Sequence, residues 1–358
     1  MKNIRTISYI LIIVILVFST VQIFAKIENT KNTVARTSKD ILYTGPVYNI
    51  FFHSLLVYPK LAFRGDTRSN LFKTYMITKK EFDNILPELY KNNFVLVNIH
   101  ELYTVDKNGT VHRKEIYLPA NKKPLVISID DLNYYKNQEG RGMAQKIILN
   151  KNNSIQTEII DPKGQLLDTT DGDIIPIVDD FVSKHSDFSI HGAKGIIAVT
   201  GYDGVFGYRT ESSASTSPTY KSDRKKIFDI ANVLKSTGWV FASHSYTHES
   251  SFVTNKITLE NLKVDTELWD NEVRPLVGDT DIFIGPFGQV FKDKDPRRNY
   301  LISKGFHVFY GVGASLYTNY FSNYIAIDRA PIDGMRLEKK SKILFKYFDV
   351  EKVIDPIR

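Results

Sequence analysis

Short apolar runs, each closed by polar residues, alternate with stretches of helical period along most of the chain. The runs at 47–58 (VYNIFFHSLLVY), 94–99 (FVLVNI), 124–131 (PLVISIDD), 195–201 (GIIAVTG), 239–243 (WVFAS) and 281–285 (DIFIG) are rich in β-branched and aromatic residues. Each reads as a buried strand. FHVFYGV (306–312) and YIAI (324–327) are the last strand candidates. Between the runs, Thr78 and Glu81 form a capping box, and Phe82, Ile85, Leu86, Leu89 and Tyr90 fall on one face of a helix. Pro87 predicts a kink in it. Asp223 caps a second helix carrying Ile227, Ile230, Ala231 and Leu234, stopped by Gly238. A third runs from Thr258 to about Val273, and a short one from Pro296 to Lys304. Strands that alternate with helices predict a parallel sheet with crossover helices. The number of units favours a β/α barrel, whose chemistry sits at the C-terminal ends of its strands. Residues 132–190 depart from this pattern. They are polar, and NKNNS and DPKG punctuate short alternating runs, which predicts β-hairpins.

The first 25 residues follow another rule. Lys2 and Arg5 precede a run from Ile7 to Ala25 without a charge. The run is long enough to span a bilayer, and QIFAK is a poor cleavage site, so an uncleaved membrane anchor is expected, with a cleaved signal peptide as the alternative. Either form places the rest of the chain outside the cytoplasm. Residues 26–45 read as a stalk, 46–335 as one catalytic domain with the 132–190 insertion, and 336–358 as a C-terminal extension. At 358 residues with 24% charged positions the chain is long enough for such a core and too ordinary in charge for wholesale disorder. The net charge of +7 comes without a dense basic block, so nucleic acid is not indicated. The chain has no cysteine. Any metal must therefore be held by His, Asp or Glu, and a thiol nucleophile is excluded.

The candidate chemistry follows the strands. His244 and His248, in SHSYTH, are spaced i, i+4, which on a helical turn would place both imidazoles on one face. Asp130 and Asp131 end the run PLVISIDD, and two carboxylates after a buried strand are costly unless paired or metal-bound. Two histidines and one aspartate make three ligands and leave room for water and substrate; the other aspartate remains free as a base. A surface loop and a strand end turning polar are the simpler readings of the same residues.

In this order and spacing the residues resemble the polysaccharide deacetylase family, carbohydrate esterase family 4, with its nodulation-factor-deacetylase-like domain. SIDD (128–131), HSYTH (244–248) and IGPFG (284–288) match the family's three motifs, and the resemblance extends over about residues 46–330. It implies a distorted parallel β/α barrel of the polysaccharide deacetylase type. Asp130 would be the general base. Asp131, His244 and His248 would hold a divalent metal, usually zinc. Pro286, Phe287 and Gly288 would form the turn whose Phe287 N–H helps hold the oxyanion. The substrate would be an N-acetylated polysaccharide such as peptidoglycan. Two departures stand out. Ile284 replaces the motif arginine, for which Arg329 is the candidate substitute. The late motif histidine, the usual general acid, has no counterpart, and His53 is the candidate replacement, with His307 weaker; His100, His112, His185 and His191 take no role. Tyr202, Phe206 and Tyr208, after the fourth strand, either line a sugar site or pack their loop. Two alternatives remain open: a metal- and glycan-binding envelope protein without turnover, and an esterase removing O-acetyl groups. Neither a protein partner nor the oligomeric state can be inferred.

Overall fold

A computed structural model describes residues 40–253, 255–313 and 315–358. The chain divides into two units, Met1–Ile41 and Leu42–Arg358, and the second is the one described. No helix among the described residues is long and apolar enough to cross a membrane; the expected anchor, 1–25, lies outside them.

The fold is mixed α/β around a mainly parallel ten-stranded sheet. Its order in space is Thr318–Tyr320, Ile325–Ile327, Val308–Tyr310, Ile282–Ile284, Trp239–Ser243, Gly195–Val199, Lys123–Ile129, Tyr48–Phe52 and Ala330–Pro331, with Phe94–Leu96 also paired to Lys123–Ile129. Every neighbouring pair is parallel except Thr318–Tyr320 with Ile325–Ile327. One segment serves two places in this order. Ile325–Ile327 pairs with Val308–Tyr310, and Ala330–Pro331, three residues on, pairs with Ile50 and Phe51. Asp328 and Arg329 lie between the two pairings.

Alternation along the strands divides the core. Leu125, Ile127 and Ile129 join the cluster packed against the helices, with Ile197, Val199, Ile230, Leu234 and Trp269. Val126, Ile196, Ala198, Ala242, Ile284, Tyr310 and Ile327 face the other way and form a second cluster. Ser128 and Asp130 share the parity of Val126, so a period of two carries polar groups to the end of that second face.

The capping box forms as expected: Thr78 Oγ1 accepts from the Glu81 N–H, and Glu81 Oε2 from the Thr78 N–H at 2.8 Å. Pro87 sits inside the Lys79–Lys91 helix. Elsewhere the elements differ from expectation. Only Tyr48–Phe52 of the first run is a strand. The second helix starts at Tyr220, so Asp223 lies in its first turn instead of capping it. The insertion holds the expected antiparallel hairpins, Ala144–Leu149, Ile155–Ile160 and Leu166–Thr169. It also holds a helix, Ile174–Lys184, that its run IIPIV conceals. The Asp173 carboxylate caps this helix, accepting from the Ile174 N–H at 2.7 Å, and Pro176 sits where a missing N–H costs nothing. The last residues pack into the same core: Leu337, Leu344, Tyr347, Phe348 and Val353 join the helix-side cluster.

Candidate active site and metal centre

Because the strands run parallel, their C-terminal ends share one edge of the sheet. His53 follows Phe52, Asp130 and Asp131 follow Ile129, Thr200 follows Val199, His244 follows Ser243, and Pro286 follows Ile284 by two residues. Hydrogen bonds extend the pairing past the strand ends, from the Asp130 N–H to Phe52 O (2.8 Å) and from the His244 N–H to Val199 O (3.1 Å). The nine residues singled out from the sequence thus collect at one edge, and the pairs measured below bring most of them into direct contact.

The two aspartates are held differently. Asp130 is buried and receives a two-pronged grip from Arg329, Nη1 to Oδ1 at 2.7 Å and Nη2 to Oδ2 at 2.9 Å. Arg329 is 1% exposed, which calls for a full set of partners. It also donates to Ser128 Oγ (2.8 Å) and Gly311 O (3.3 Å), and its guanidinium lies 4.3 Å from the Phe51 ring centroid and 5.5 Å from that of Tyr310. Burial works to raise the Asp130 pKa, but Arg329, His244 and His53 outweigh it and hold the carboxylate below its usual range.

Asp131 turns out of the strand with φ 59°, which separates its carboxylate from that of Asp130. Its Oδ1 accepts from the Tyr135 hydroxyl at 2.6 Å. Its Oδ2 faces three imidazoles: His248 Nε2 at 3.6 Å, His244 Nε2 at 3.9 Å and His53 Nε2 at 3.9 Å. Burial again opposes the charge, and His248, His244 and His53 again win, so the pKa is lowered. The Tyr135 hydroxyl is pushed well up by burial and by Asp131. It stays protonated, spends its hydrogen on Asp131, and accepts from Thr200 Oγ1 at 2.8 Å.

The histidine tautomers follow from their second nitrogens. His244 Nδ1 donates to Ile284 O at 2.7 Å, which leaves the Nε2 lone pair facing Asp131. Burial lowers the His244 pKa, against the opposing pull of Asp131 and Asp130. His53 Nδ1 donates to Tyr75 O at 3.1 Å, so its Nε2 also points inward. The expected helical turn for His244–His248 does not form. Ser245 and His248 have φ of 60° and 49°, and a loop brings the two ring centroids to 5.0 Å. Asp265, on the Leu259–Glu272 helix, forces that shape. It accepts from the Tyr246 N–H (2.8 Å), the Thr247 N–H (2.8 Å) and Thr247 Oγ1 (2.6 Å). These amides would otherwise serve a helix.

Asp131, His244 and His248 form a group whose ligand atoms all lie within 4.8 Å of one another. A tetrahedral ion with ligands at about 2.0–2.1 Å separates them by roughly 3.3 Å, so the two Asp131–histidine separations of 3.6 and 3.9 Å lie close to that spacing, and the group draws inward to take an ion. A carboxylate oxygen and two imidazole Nε2 atoms, with buried partners that fix both the carboxylate and His244, suit a divalent cation.

Phe287 completes the edge. Its φ is 57°, and its ring lies 4.4 Å from that of His248. The hydrogen bonds of its turn run from the Gly288 N–H to Gly285 O and from the Gln289 N–H to Pro286 O, both 3.0 Å, so they leave out the Phe287 N–H. His307 (Nδ1 to Asn323 O), His100 (to Asp281), His112 (to Asp106) and His191 (to Glu101) make other contacts, and His307 and Asp281 stand at the opposite, N-terminal ends of their strands. Of the three loop aromatics, Phe206 and Tyr208 are buried and Tyr202 is exposed, stacked on Tyr135 at 4.9 Å. Sequence reasoning missed Tyr135, Thr200 and Asp265. Tyr135 lies four residues past the paired aspartates and Thr200 opens the loop after the fourth strand, whereas Asp265 stood near no motif.

No family model matches the chain, and no curated protein does. Among solved structures it is similar to a de-N-acetylase from Aggregatibacter actinomycetemcomitans, with 12% identity and a TM-score of 0.43, over 81% of this chain and 96% of that one.

Proposed function

We propose that the chain is a metal-dependent hydrolase that removes N-acetyl groups from a cell-envelope or extracellular polysaccharide such as peptidoglycan. It would work outside the cytoplasm, tethered through residues 1–25, on a distorted β/α barrel closed by the segment 325–331. The observation that carries this reading is the division of labour between adjacent aspartates. Asp130 is gripped by Arg329 and kept ionised, while Asp131 shares a ligand pocket with His244 and His248.

A divalent cation in that pocket, zinc by the chemistry of its donors, supplies Lewis acidity for the acetyl carbonyl and for water. The protein's own groups do the rest. Asp130 takes the proton of the attacking water, and Arg329 keeps both of its oxygens oriented. The Phe287 N–H donates to the oxyanion that develops as the water oxygen bonds to the carbonyl carbon. His53, aimed by Tyr75 O, gives a proton from Nε2 to the amine nitrogen as the C–N bond breaks. Acetate and a free amine result.

The test is acetate release from a panel of N-acetyl and O-acetyl glycans by the full-length, zinc-loaded protein, beside Asp130→Asn. Release from N-acetyl glycans that is lost in Asp130→Asn, with zinc retained, supports the reading. Release only from O-acetyl esters, or from neither with the fold and metal intact, overturns it.

A further inference from the structure

The helix Thr67–Tyr75 ends beside the site, and the carbonyls of a helix's last turn have no partner inside the helix. Here the carbonyls of that turn and its cap are shared out among three groups. The Met76 N–H donates to Phe72 O at 3.0 Å. His53 Nδ1 donates to Tyr75 O. Arg358 takes the carbonyls on either side, Nη1 donating to Lys73 O at 3.0 Å and Nη2 to Met76 O at 2.7 Å. The group that aims His53 therefore sits between two carbonyls pinned by one guanidinium.

That guanidinium is itself fixed. Its side chain is 2% exposed, and it grips the wholly buried carboxylate of Glu81, Nε to Oε1 at 2.5 Å and Nη2 to Oε2 at 2.6 Å. A charge-assisted fork of this kind sets direction as well as distance. Glu81 belongs to the capping box of the Lys79–Lys91 helix, and its Oε1 also accepts from the Asp355 N–H at 3.1 Å. Leu56, on the same stretch as His53, ties in the turn: its N–H donates to Ile77 O at 3.0 Å and its O accepts from the Lys79 N–H at 2.9 Å. Residue 334 has to be glycine, because a Cβ there would collide with Arg358 Nη1 and Lys73 O at once. The plain reading is a buried ion pair that finishes the core, its spare N–H groups satisfied by nearby carbonyls. Those carbonyls, however, are the two that stand on either side of the one facing His53.

We propose that Arg358 is the positioning residue of the general acid. Through Lys73 O and Met76 O it holds Tyr75 O where His53 Nδ1 donates, and so keeps Nε2 directed at the amine nitrogen. A proton donor works only within hydrogen-bond reach of the atom it serves, and a misplacement of about 1 Å costs on the order of 10²-fold. The two proton-handling groups are then each set by an arginine, Asp130 by direct grip and His53 at one remove. Arg358 acts on the reaction only through His53, so kcat carries the effect and KM does not. The inference rests on the deacetylase reading for the role of His53, whereas the orientation of the ring can be read without any turnover.

Two measurements on the full-length, zinc-loaded protein test it, with Arg358→Met and the double variant Arg358→Met, Glu81→Gln. The double variant removes both buried charges while glutamine still caps the helix, so the fold is kept and the bonds to the two carbonyls are not. In the first, kcat/KM is compared for two substrates. An N-acetylglucosamine oligomer has an amine that must be protonated as the C–N bond breaks. Nitrophenyl acetate loses its phenolate, unprotonated, as the C–O bond breaks. The ratio of the first to the second is expected to fall about 10–100-fold in both variants, through kcat. Arg358→Lys, which keeps a donor for one carbonyl, should fall less. In the second, the His53 Nδ1–H resonance is followed in protein carrying isotopically labelled histidine, assigned by its absence in His53→Gln. It is expected to be lost from the double variant, while the Nδ1–H resonance of His244, bonded to Ile284 O, stays. An unchanged ratio, or an unchanged His53 resonance, in the folded double variant would overturn the proposal and leave the deacetylase reading standing. Loss of the resonance in a protein that releases no acetate from any N-acetyl glycan supports the positioning role and sinks the deacetylase reading alone.

Discussion

Replacing Arg329 with Met tests the most tightly specified contact in the protein. The guanidinium is 1% exposed and donates to both oxygens of buried Asp130, to Ser128 Oγ and to Gly311 O. Methionine fills similar volume between Phe51 and Tyr310 but leaves the carboxylate charged and unpaired. Breaking a buried pair on one side costs about 3–5 kcal/mol, a large share of a domain stability of about 5–15 kcal/mol. Asp130→Asn strands the arginine in the same way. The double variant strands neither, so it is expected to recover much of the loss, giving a coupling energy of about 2–3 kcal/mol in a double-mutant cycle. Urea unfolding with chelator present removes any contribution from bound metal. Arg329→Met is expected to retain zinc binding once folded, because the candidate ligand group is Asp131, His244 and His248, not Asp130. Arg329→Lys keeps the charge but not the fork, and is expected to fall between. An unchanged unfolding midpoint in Arg329→Met, or a coupling below about 0.5 kcal/mol, would refute the reasoning.

Three further outcomes are expected. His248→Ala removes one of three ligands, and zinc content after dialysis should drop to background while Asp130→Asn keeps its metal. Asp265→Ala frees the His244–His248 loop, and competition with a chelator should show zinc affinity reduced roughly 10–100-fold, the usual effect of losing a group that orients ligands. Asp173 gives a pH signature: burial raises its pKa from 3.8 to about 6 against the hydrogen bonds from Tyr134, Ile174 and Leu55. The native state then holds its proton longer than the unfolded chain, so stability falls as pH rises from about 4 to about 6, by on the order of 3 kcal/mol. Urea unfolding across that window should show this slope in the wild type, less of it in Asp173→Asn.

Much of the sheet was legible because its strands are short, apolar and bounded. Runs such as PLVISI and GIIAV are nearly saturated with buried positions, and local composition suffices for these. The Ile174–Lys184 helix was not legible, because IIPIV carries strand-like composition and its start depends on a single Asp side chain. The site divides along similar lines. Asp130, Asp131, His244 and His248 sit in compact motifs after strands, and their proximity follows from parallel strands sharing an edge. Asp265 sits on a helix where its letter is indistinguishable from a surface acid; only the fold shows that it holds the loop. The shape of that loop was also hidden. A spacing of four suggested a helical turn, whereas left-handed Ser245 and His248 produce the approach by another route.

The segment 325–331 has a consequence in time. Arg329 lies 199 positions after Asp130, and the same few residues pair with Val308–Tyr310 on one side and Ile50–Phe51 on the other. Synthesis delivers Asp130, Asp131, His244 and His248 long before it delivers Arg329, which grips the Asp130 carboxylate. Contacts of such separation form late, after long loops have closed. A nascent chain therefore carries Asp130 without its arginine partner until the segment 325–331 has been made.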